Sequence, residues 1–91
     1  MKIQKIYYSS KFEREYKKLP AAVRETAKTK EALFRINPFD PSLKTHKLKG
    51  GLREFFSFSL SHRYRIIFVF GKTGIAHFYS VGDHSVYQLF D

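Results

Sequence analysis

The first half of the chain has a short strand-like segment followed by apolar residues at helical spacing. Residues 2–8 combine isoleucine with tyrosine and predict an edge strand. Ser10 precedes Glu13 by three positions, which is the pattern of a capping box and predicts a short helix over 11–18. A second helix is predicted over 20–36, because proline is accepted in the first turn of a helix and an Asn-Pro pair ends the pattern.

The second half changes to the spacing of strands. Residues 56–61 alternate between apolar residues and serine, and 64–70 are almost continuously apolar, as in a central strand buried on both faces. A turn at 71–74 leads to a last strand over 75–81, so the three strands predict an antiparallel meander. The chain is therefore predicted to be one α+β domain over 1–91, ordered β-α-α-β-β-β, with two helices packed on a twisted antiparallel sheet. A short C-terminal helix is a further option.

Composition supports a folded domain. The 91 residues include ten Phe and six Tyr, enough aromatic area for a compact core, and no cysteine that could form a disulfide or a thiolate metal site. The N-terminal segment is too polar for a signal sequence, and no apolar run is long enough to span a bilayer. We therefore expect a cytoplasmic protein with no membrane partner.

The net charge of +9 and the pI near 9.9 favour polyanionic partners. Nucleic acid is the leading class, and an acidic protein is compatible with it. An anionic membrane surface has less support, because no strongly amphipathic basic helix is present. The alternative is that the charge serves no specific partner.

The sequence offers no metal or cofactor motif. The carboxylates are scattered and the four histidines lack the close spacing of metal ligands, so no metal and no cofactor are predicted. His62 and His77 are expected to have no functional role. RNA, however, can be cleaved without a metal when the 2′-OH attacks the adjacent phosphate. That reaction needs a group that accepts a proton, a group that donates one, and cations near the developing charge.

Suitable groups occur in three places along the chain. The central strand begins with Arg65, and the C-terminal segment contains His84 and Tyr87. If the last two strands are antiparallel, Arg65 lies close to residues 81–87. The loop that precedes the meander, with the residues that follow it, supplies candidates for contacts with RNA phosphates: His46, Lys47, Lys49 and Arg53.

Each candidate also has a structural interpretation. Arg65 could be a surface residue paired with Glu54, and His84 could belong to a simple turn after a Gly-Asp pair. Tyr87 could be a core residue or contact a partner protein. The lysines could belong to a solvated face, and His46 could be only a loop residue.

Four sequence segments together resemble a known family. In chain order they read FEREYKKLP, NPFDPSLKTHKLKG, YRIIFVF and VGDHSVY. They resemble the RelE/ParE superfamily of type II toxin–antitoxin toxins, and the resemblance covers nearly the whole chain. It implies two N-terminal helices on an antiparallel sheet and, for the RelE, YoeB and YafQ branches, a ribosome-dependent mRNA endonuclease. It also implies a cognate antitoxin, through which alone the protein would contact operator DNA.

The resemblance assigns roles to several residues. Arg65 matches the arginine of RelE- and YoeB-like toxins at the start of the central strand. His84 matches the C-terminal histidine of the YafQ- and YoeB-like branches, and Tyr87 resembles the terminal catalytic aromatic. His46 matches a YafQ-like histidine. The lysines at 47 and 49 resemble the RelE-like basic pair only loosely.

The sequence also departs from the family. Ser42 stands near the position of the YoeB-like catalytic glutamate, and Ser57 and Ser59 stand where YafQ-like toxins have an acid and a histidine. The general base is therefore open between His84 and His46. Two alternatives remain for the function: a ParE-like inhibitor of DNA gyrase without nuclease activity, and an inactive relative that binds only its antitoxin.

Overall fold

The computed structural model describes residues 2–50 and 54–83, which form two helices and a five-stranded sheet. Positions 51–53 and 84–91 lie outside the described residues, and with them Arg53, His84, Tyr87 and the optional C-terminal helix. The strands and helices, in chain order, are β1 (Lys5–Tyr8), α1 (Ser10–Lys17), α2 (Ala21–Ile36), a 3₁₀ turn (Pro41–Leu43), β2 (His46–Lys47), β3 (Phe56–Ser59), β4 (Arg65–Phe70) and β5 (Ile75–Gly82). The predicted α+β class, with two helices on a sheet, is confirmed.

The cap of α1 differs from the prediction by one residue. The Ser9 hydroxyl, rather than that of Ser10, accepts a hydrogen bond from the Phe12 backbone N–H at 2.9 Å. Ser9 also donates its hydroxyl proton to the Tyr79 carbonyl at 2.7 Å, so the residue that begins the helix is tied to β5. The capping-box pattern placed the start at Ser10, because sequence spacing alone does not show which of two adjacent serines has extended backbone.

The sheet is mixed rather than purely antiparallel. Its strand order is β1-β5-β4-β3-β2, and β3, β4 and β5 form the predicted antiparallel meander. The edge strand β1 pairs with β5 in parallel, an arrangement that needs a long crossover, supplied here by the intervening helices and strands. Residues 46–47, predicted as loop, form the short strand β2 against Ser57 and Phe56.

The core lies between the helices and one face of the sheet. Phe34 of α2 is fully buried, and its ring centroid lies 4.9 Å from those of Phe58 and Phe68 and 5.2 Å from that of Phe78. Since side chains alternate along a strand, the residues between these phenylalanines point to the opposite face of the sheet. This opposite face holds the serines of β3.

Candidate functional site

Strand register gathers polar residues on the face of the sheet that the helices do not cover. His46 pairs with Ser57 across β2 and β3, and Ser59 pairs with Arg65 across β3 and β4. Directly paired residues point to the same side of a sheet, and residues two apart on one strand share a face. His46 and Arg65 therefore lie on a common face. The two Cα positions are separated by two strand spacings and two residues, a distance of roughly 12 Å for ordinary sheet geometry.

These residues border a concavity with a volume of about 770 Å³, which we call the concave site. Three cationic side chains and two imidazoles line it, and no carboxylate does so among the residues that the structure describes. Such a lining attracts anions. The described lining residues come from α2, from the 3₁₀ turn and β2 with the residues that follow each, and from β3, β4 and the turn between them. They are Lys30, Ser42, Lys44, His46, Leu48, Ser59, Leu60, Ser61, His62 and Arg65.

Arg65 is held in place by a neighbouring strand. One guanidinium nitrogen donates a hydrogen bond to the Ser59 hydroxyl, and the side chain is half-buried. Within the described part of the chain Arg65 forms no ion pair, so the pairing with Glu54 considered above does not occur there. The remaining guanidinium N–H groups have the planar geometry that suits a phosphate. Arg65 also pairs with Gly82, which places it beside the end of β5 as predicted.

The ring of His46 is oriented by the backbone. Its Nδ1 lies 3.1 Å from the Lys44 carbonyl oxygen. A carbonyl only accepts hydrogen bonds, so Nδ1 carries the proton in this contact, and in the neutral form of the ring Nε2 is the proton acceptor. Lys44 itself has a left-handed backbone, with φ of 53°, where the 3₁₀ turn ends.

The 3₁₀ turn before Lys44 is fixed by Asp40. One Asp40 oxygen accepts hydrogen bonds from the Ser42 backbone at 2.9 Å and from the Ser42 hydroxyl at 2.7 Å. These two bonds hold the pKa of Asp40 below its ordinary value, with a smaller effect from the positive charge of Lys30. The turn thus fixes the direction of the carbonyl that orients His46.

The structure does not bring every predicted residue to this site. Lys47 points to the other side of β2 and borders a separate depression with Glu54 and Phe56. Lys49 is exposed and does not line the concave site. The other three predicted site residues lie outside the described part of the chain, as noted above.

Three residues of the site were missed by the sequence analysis. His62, expected to have no role, lies in the turn between β3 and β4 and lines the site together with Lys30 and Lys44. The signal available for His62 was its position in a turn, three residues before Arg65. Nothing in the sequence indicates which edge of the sheet α2 crosses, so no sequence pattern could identify Lys30 as a residue of the site.

The described residues were also compared with the requirements of a metal site and of a membrane-spanning helix. Within residues 2–50 and 54–83, no group of three or more histidines and carboxylates has the arrangement to hold a metal ion. In the same part of the chain, neither helix has the length and apolar character needed to cross a membrane.

The fold is shared with solved structures of toxins. The YoeB/ParE toxin from Agrobacterium tumefaciens is 16% identical, with a TM-score of 0.76 over 89% of this chain and 99% of that one. The E. coli DinJ-YafQ toxin–antitoxin complex contains a chain 18% identical, with a TM-score of 0.69 over 94% and 97%. The archaeal RelE-RelB complex from Pyrococcus horikoshii OT3 gives 15% identity and a TM-score of 0.71 over 91% and 96%.

No protein-family model matches the chain, and no curated protein matches its sequence significantly. At these identities the structural likeness establishes the fold. The protein therefore has the fold of these YoeB/ParE, YafQ and RelE structures, which is the fold that the sequence resemblance implied.

Proposed function

We propose that this protein is the toxin of a type II toxin–antitoxin system and that it cleaves mRNA on the ribosome without a metal ion. The observation that carries the proposal is the concave site, in which Arg65 and a backbone-oriented His46 line a basic surface free of described carboxylates. The site lies in a fold shared with YoeB/ParE, YafQ and RelE toxins. The RNA phosphate backbone is a ligand that such a surface attracts.

The proposed reaction is an attack of the 2′-OH on the adjacent phosphate, with departure of the 5′-oxygen. A base removes the proton of the 2′-OH, and Nε2 of His46 is oriented for that role. Arg65 stabilises the negative charge on the phosphate, because its guanidinium group lines the same concavity. An acid returns a proton to the leaving oxygen. Lys47, Lys49 and Arg53 are proposed to contact phosphates of the same RNA strand beyond the concave site.

His84 is the proposed second proton-transfer residue, as general acid or base. It follows Gly82, the partner of Arg65, by two residues, and two residues span at most about 7 Å of extended chain. Tyr87 is proposed to assist proton transfer or to stack on a base of the RNA. If His46 is the base that takes the proton of the 2′-OH, His84 is the acid that protonates the leaving 5′-oxygen, so each imidazole performs one proton transfer.

The proposed protein partner is a cognate antitoxin. Two of the similar solved structures are complexes, the DinJ-YafQ toxin–antitoxin complex and the RelE-RelB complex. A net charge of +9 favours an acidic or amphipathic antitoxin segment laid over the basic face. Contact with operator DNA would occur only through this antitoxin.

The deciding experiment is expression of the chain alone in bacteria, followed by mapping of mRNA 5′-ends. The proposal predicts growth arrest and new cuts inside translated reading frames. Both should disappear in a double variant with Arg65→Gln and His84→Ala. Arg63→Gln is the matched control, because Arg63 is exposed, lies two residues away and does not line the concave site. It should stay fully toxic.

Other outcomes identify other functions. A double variant that remains toxic and still cuts mRNA would refute the site assignment. Growth arrest with filamentation and DNA damage, but without new cuts, would indicate a ParE-like gyrase inhibitor. Harmless expression without an antitoxin would indicate an inactive binding relative.

The two candidate bases can be separated by kinetics. His46→Ala should slow the cleavage of RNA with a normal 5′-oxygen leaving group and of RNA with a 5′-sulfur leaving group, whereas His84→Ala should slow only the former, because a thiolate leaves without a proton donor. Restoration of the His46→Ala rate by the 5′-sulfur substrate would exclude His46 as the base.

A further inference from the structure

Lys30 connects the helical layer to the concave site. It lies three residues after Ala27 and four residues before Phe34, both buried, so it leaves α2 on the side that faces the sheet. The side chain is half-buried, yet it lines the concave site together with Arg65. A lysine can pack its apolar stem and still present its ammonium group to solvent, and Lys30 does so at the edge of the site.

Lys44 approaches the same site from the 3₁₀ turn. Its carbonyl orients His46, and its exposed side chain lines the concavity. The left-handed backbone at this residue is unusual for a lysine, since side chains other than those of glycine, asparagine and aspartate adopt it at a cost. The turn therefore holds a cationic side chain in a conformation that another residue type would fit more readily.

Neither lysine forms an ion pair within 4 Å among the described residues. Other lysines of the helices do: Lys11 lies 2.6 Å from Glu15, and Lys28 lies 3.3 Å from Glu25. The carboxylate that feels the charge of Lys30 is Asp40, and one of its oxygens already accepts two hydrogen bonds from Ser42. The positive charges of Lys30 and Lys44 are thus left for a ligand.

We propose that Lys30 and Lys44 bind a phosphate adjacent to the scissile one, so that the concave site holds at least two consecutive phosphates of a single RNA strand. This inference rests on the proposed ribonuclease function and extends it. Arg65 and the oriented imidazole of His46 already provide for a single reacting phosphate. Lys30 and Lys44, neither of which forms an ion pair among the described residues, provide for a second anionic group, and a polyanion carries such a second group at a fixed distance.

The prediction concerns the salt dependence of binding. Each phosphate contact with a single strand contributes about 0.7 to the slope of log K against log salt concentration. Because both lysines are proposed to contact the same phosphate, the double variant Lys30→Gln, Lys44→Asn should lower the slope by about 0.7, and each single variant by part of this amount. Asparagine is chosen at position 44 because it tolerates the left-handed backbone, so the turn and His46 remain in place.

The probe is a 2′-O-methyl RNA oligonucleotide of about eight nucleotides, which lacks the attacking hydroxyl and fits the site sizes of single-strand binders. Lys28→Gln is the matched control, because Lys28 is on the same helix but exposed and paired with Glu25. Its slope should equal that of the wild type. Circular dichroism of every variant checks that the fold is retained.

The outcomes distinguish this inference from the proposed function. If the wild type does not bind the oligonucleotide in a salt-dependent way, both fail. If Arg65→Gln lowers the slope but Lys30→Gln and Lys44→Asn do not, only the second phosphate site is refuted. If these two variants instead weaken binding to poly-glutamate and leave the oligonucleotide slope unchanged, the lysines serve an acidic protein partner, and the RNA assignment is overturned.

Discussion

Glu15 connects α1 to the end of β5 that lies beside Arg65, and its replacement gives a sharp test of the fold. One carboxylate oxygen accepts hydrogen bonds from the Ser80 hydroxyl at 2.7 Å and the Val81 backbone N–H at 3.1 Å. The other lies 2.6 Å from Lys11. Next to these contacts the pairing of β4 with β5 is irregular. Ile67 pairs with Ser80 but Phe68 pairs with Phe78, so β5 has one extra residue at this point. Glu15 therefore satisfies polar groups at an irregular point of the sheet.

We predict that Glu15→Gln lowers the free energy of unfolding by roughly 1–2 kcal/mol near neutral pH, because hydrogen bonds to a charged group are stronger than those to a neutral one by about this amount. The side chain is only 26% exposed, so solvent screens these contacts incompletely. Glutamine keeps the size of the side chain, which leaves the packing of α1 unchanged. The loss is large for a domain whose total stability is on the order of 5–10 kcal/mol.

The same residue predicts a pH dependence. Partial burial acts to raise the pKa of Glu15, but the hydrogen bonds from Lys11, Ser80 and Val81 outweigh it and hold the pKa below its ordinary value. The folded state then binds fewer protons at Glu15 than the unfolded state. The stabilisation is present above the unfolded pKa of 4.5 and is lost as the pH falls through the lower pKa of the folded state.

Urea unfolding followed by circular dichroism, repeated from neutral pH down to acid, measures both effects. The difference between the wild type and Glu15→Gln should shrink toward zero as the carboxyl group becomes protonated. Glu13→Gln is the control on the same helix, because Glu13 is exposed, and it should change stability by less than about 0.5 kcal/mol. A constant difference at all pH values would refute the electrostatic explanation.

Three further predictions concern the core, the β1–α2 contact and the 3₁₀ turn. Phe34→Ala should destabilise the fold by about 3–5 kcal/mol in urea unfolding, since the lost ring leaves a cavity among three other phenylalanines; a loss below about 1 kcal/mol would contradict the packing. Burial and the hydrogen bond to Glu31 raise the pKa of Tyr8 to about 12. The stabilisation of the fold by protonated Tyr8 should therefore be present below pH 10 and lost as the pH rises through the pKa of the folded state. In a titration of tyrosinate absorbance, Tyr8→Phe should remove the component that ionises last. Lys44→Val should cost about 1–2 kcal/mol because a β-branched residue resists positive φ, whereas Lys44→Asn should stay within about 0.5 kcal/mol by the same unfolding assay.

The residues of the concave site differ in how far the sequence could predict their positions. Arg65 could be placed beside the end of the last strand because an antiparallel connection fixes that neighbourhood, and the pairing with Gly82 confirms it. His46 was a candidate from its residue type, but its tautomer depends on the Lys44 carbonyl, whose direction is set by a left-handed residue that no local pattern predicts. His62 was expected to have no role and yet lines the same site as Arg65.

Local patterns were sufficient for most of the elements. The helix α2 and the three strands of the meander follow from periodicity, proline and glycine positions, because these act over a few neighbouring residues. The aromatic content likewise indicated an aromatic core, and the net charge of +9 predicts polyanionic partners.

Only the tertiary structure decided how distant segments meet. The parallel pairing of β1 with β5 joins residues about seventy positions apart, and β2 exists because a two-residue segment reaches the edge of β3. The position of the Lys30 side chain at the concave site depends on the angle at which α2 crosses the sheet. Such contacts are fixed by packing of the whole core rather than by neighbouring residues, so the sequence by itself predicts the elements and the chemistry, and the fold decides which side chains share a site.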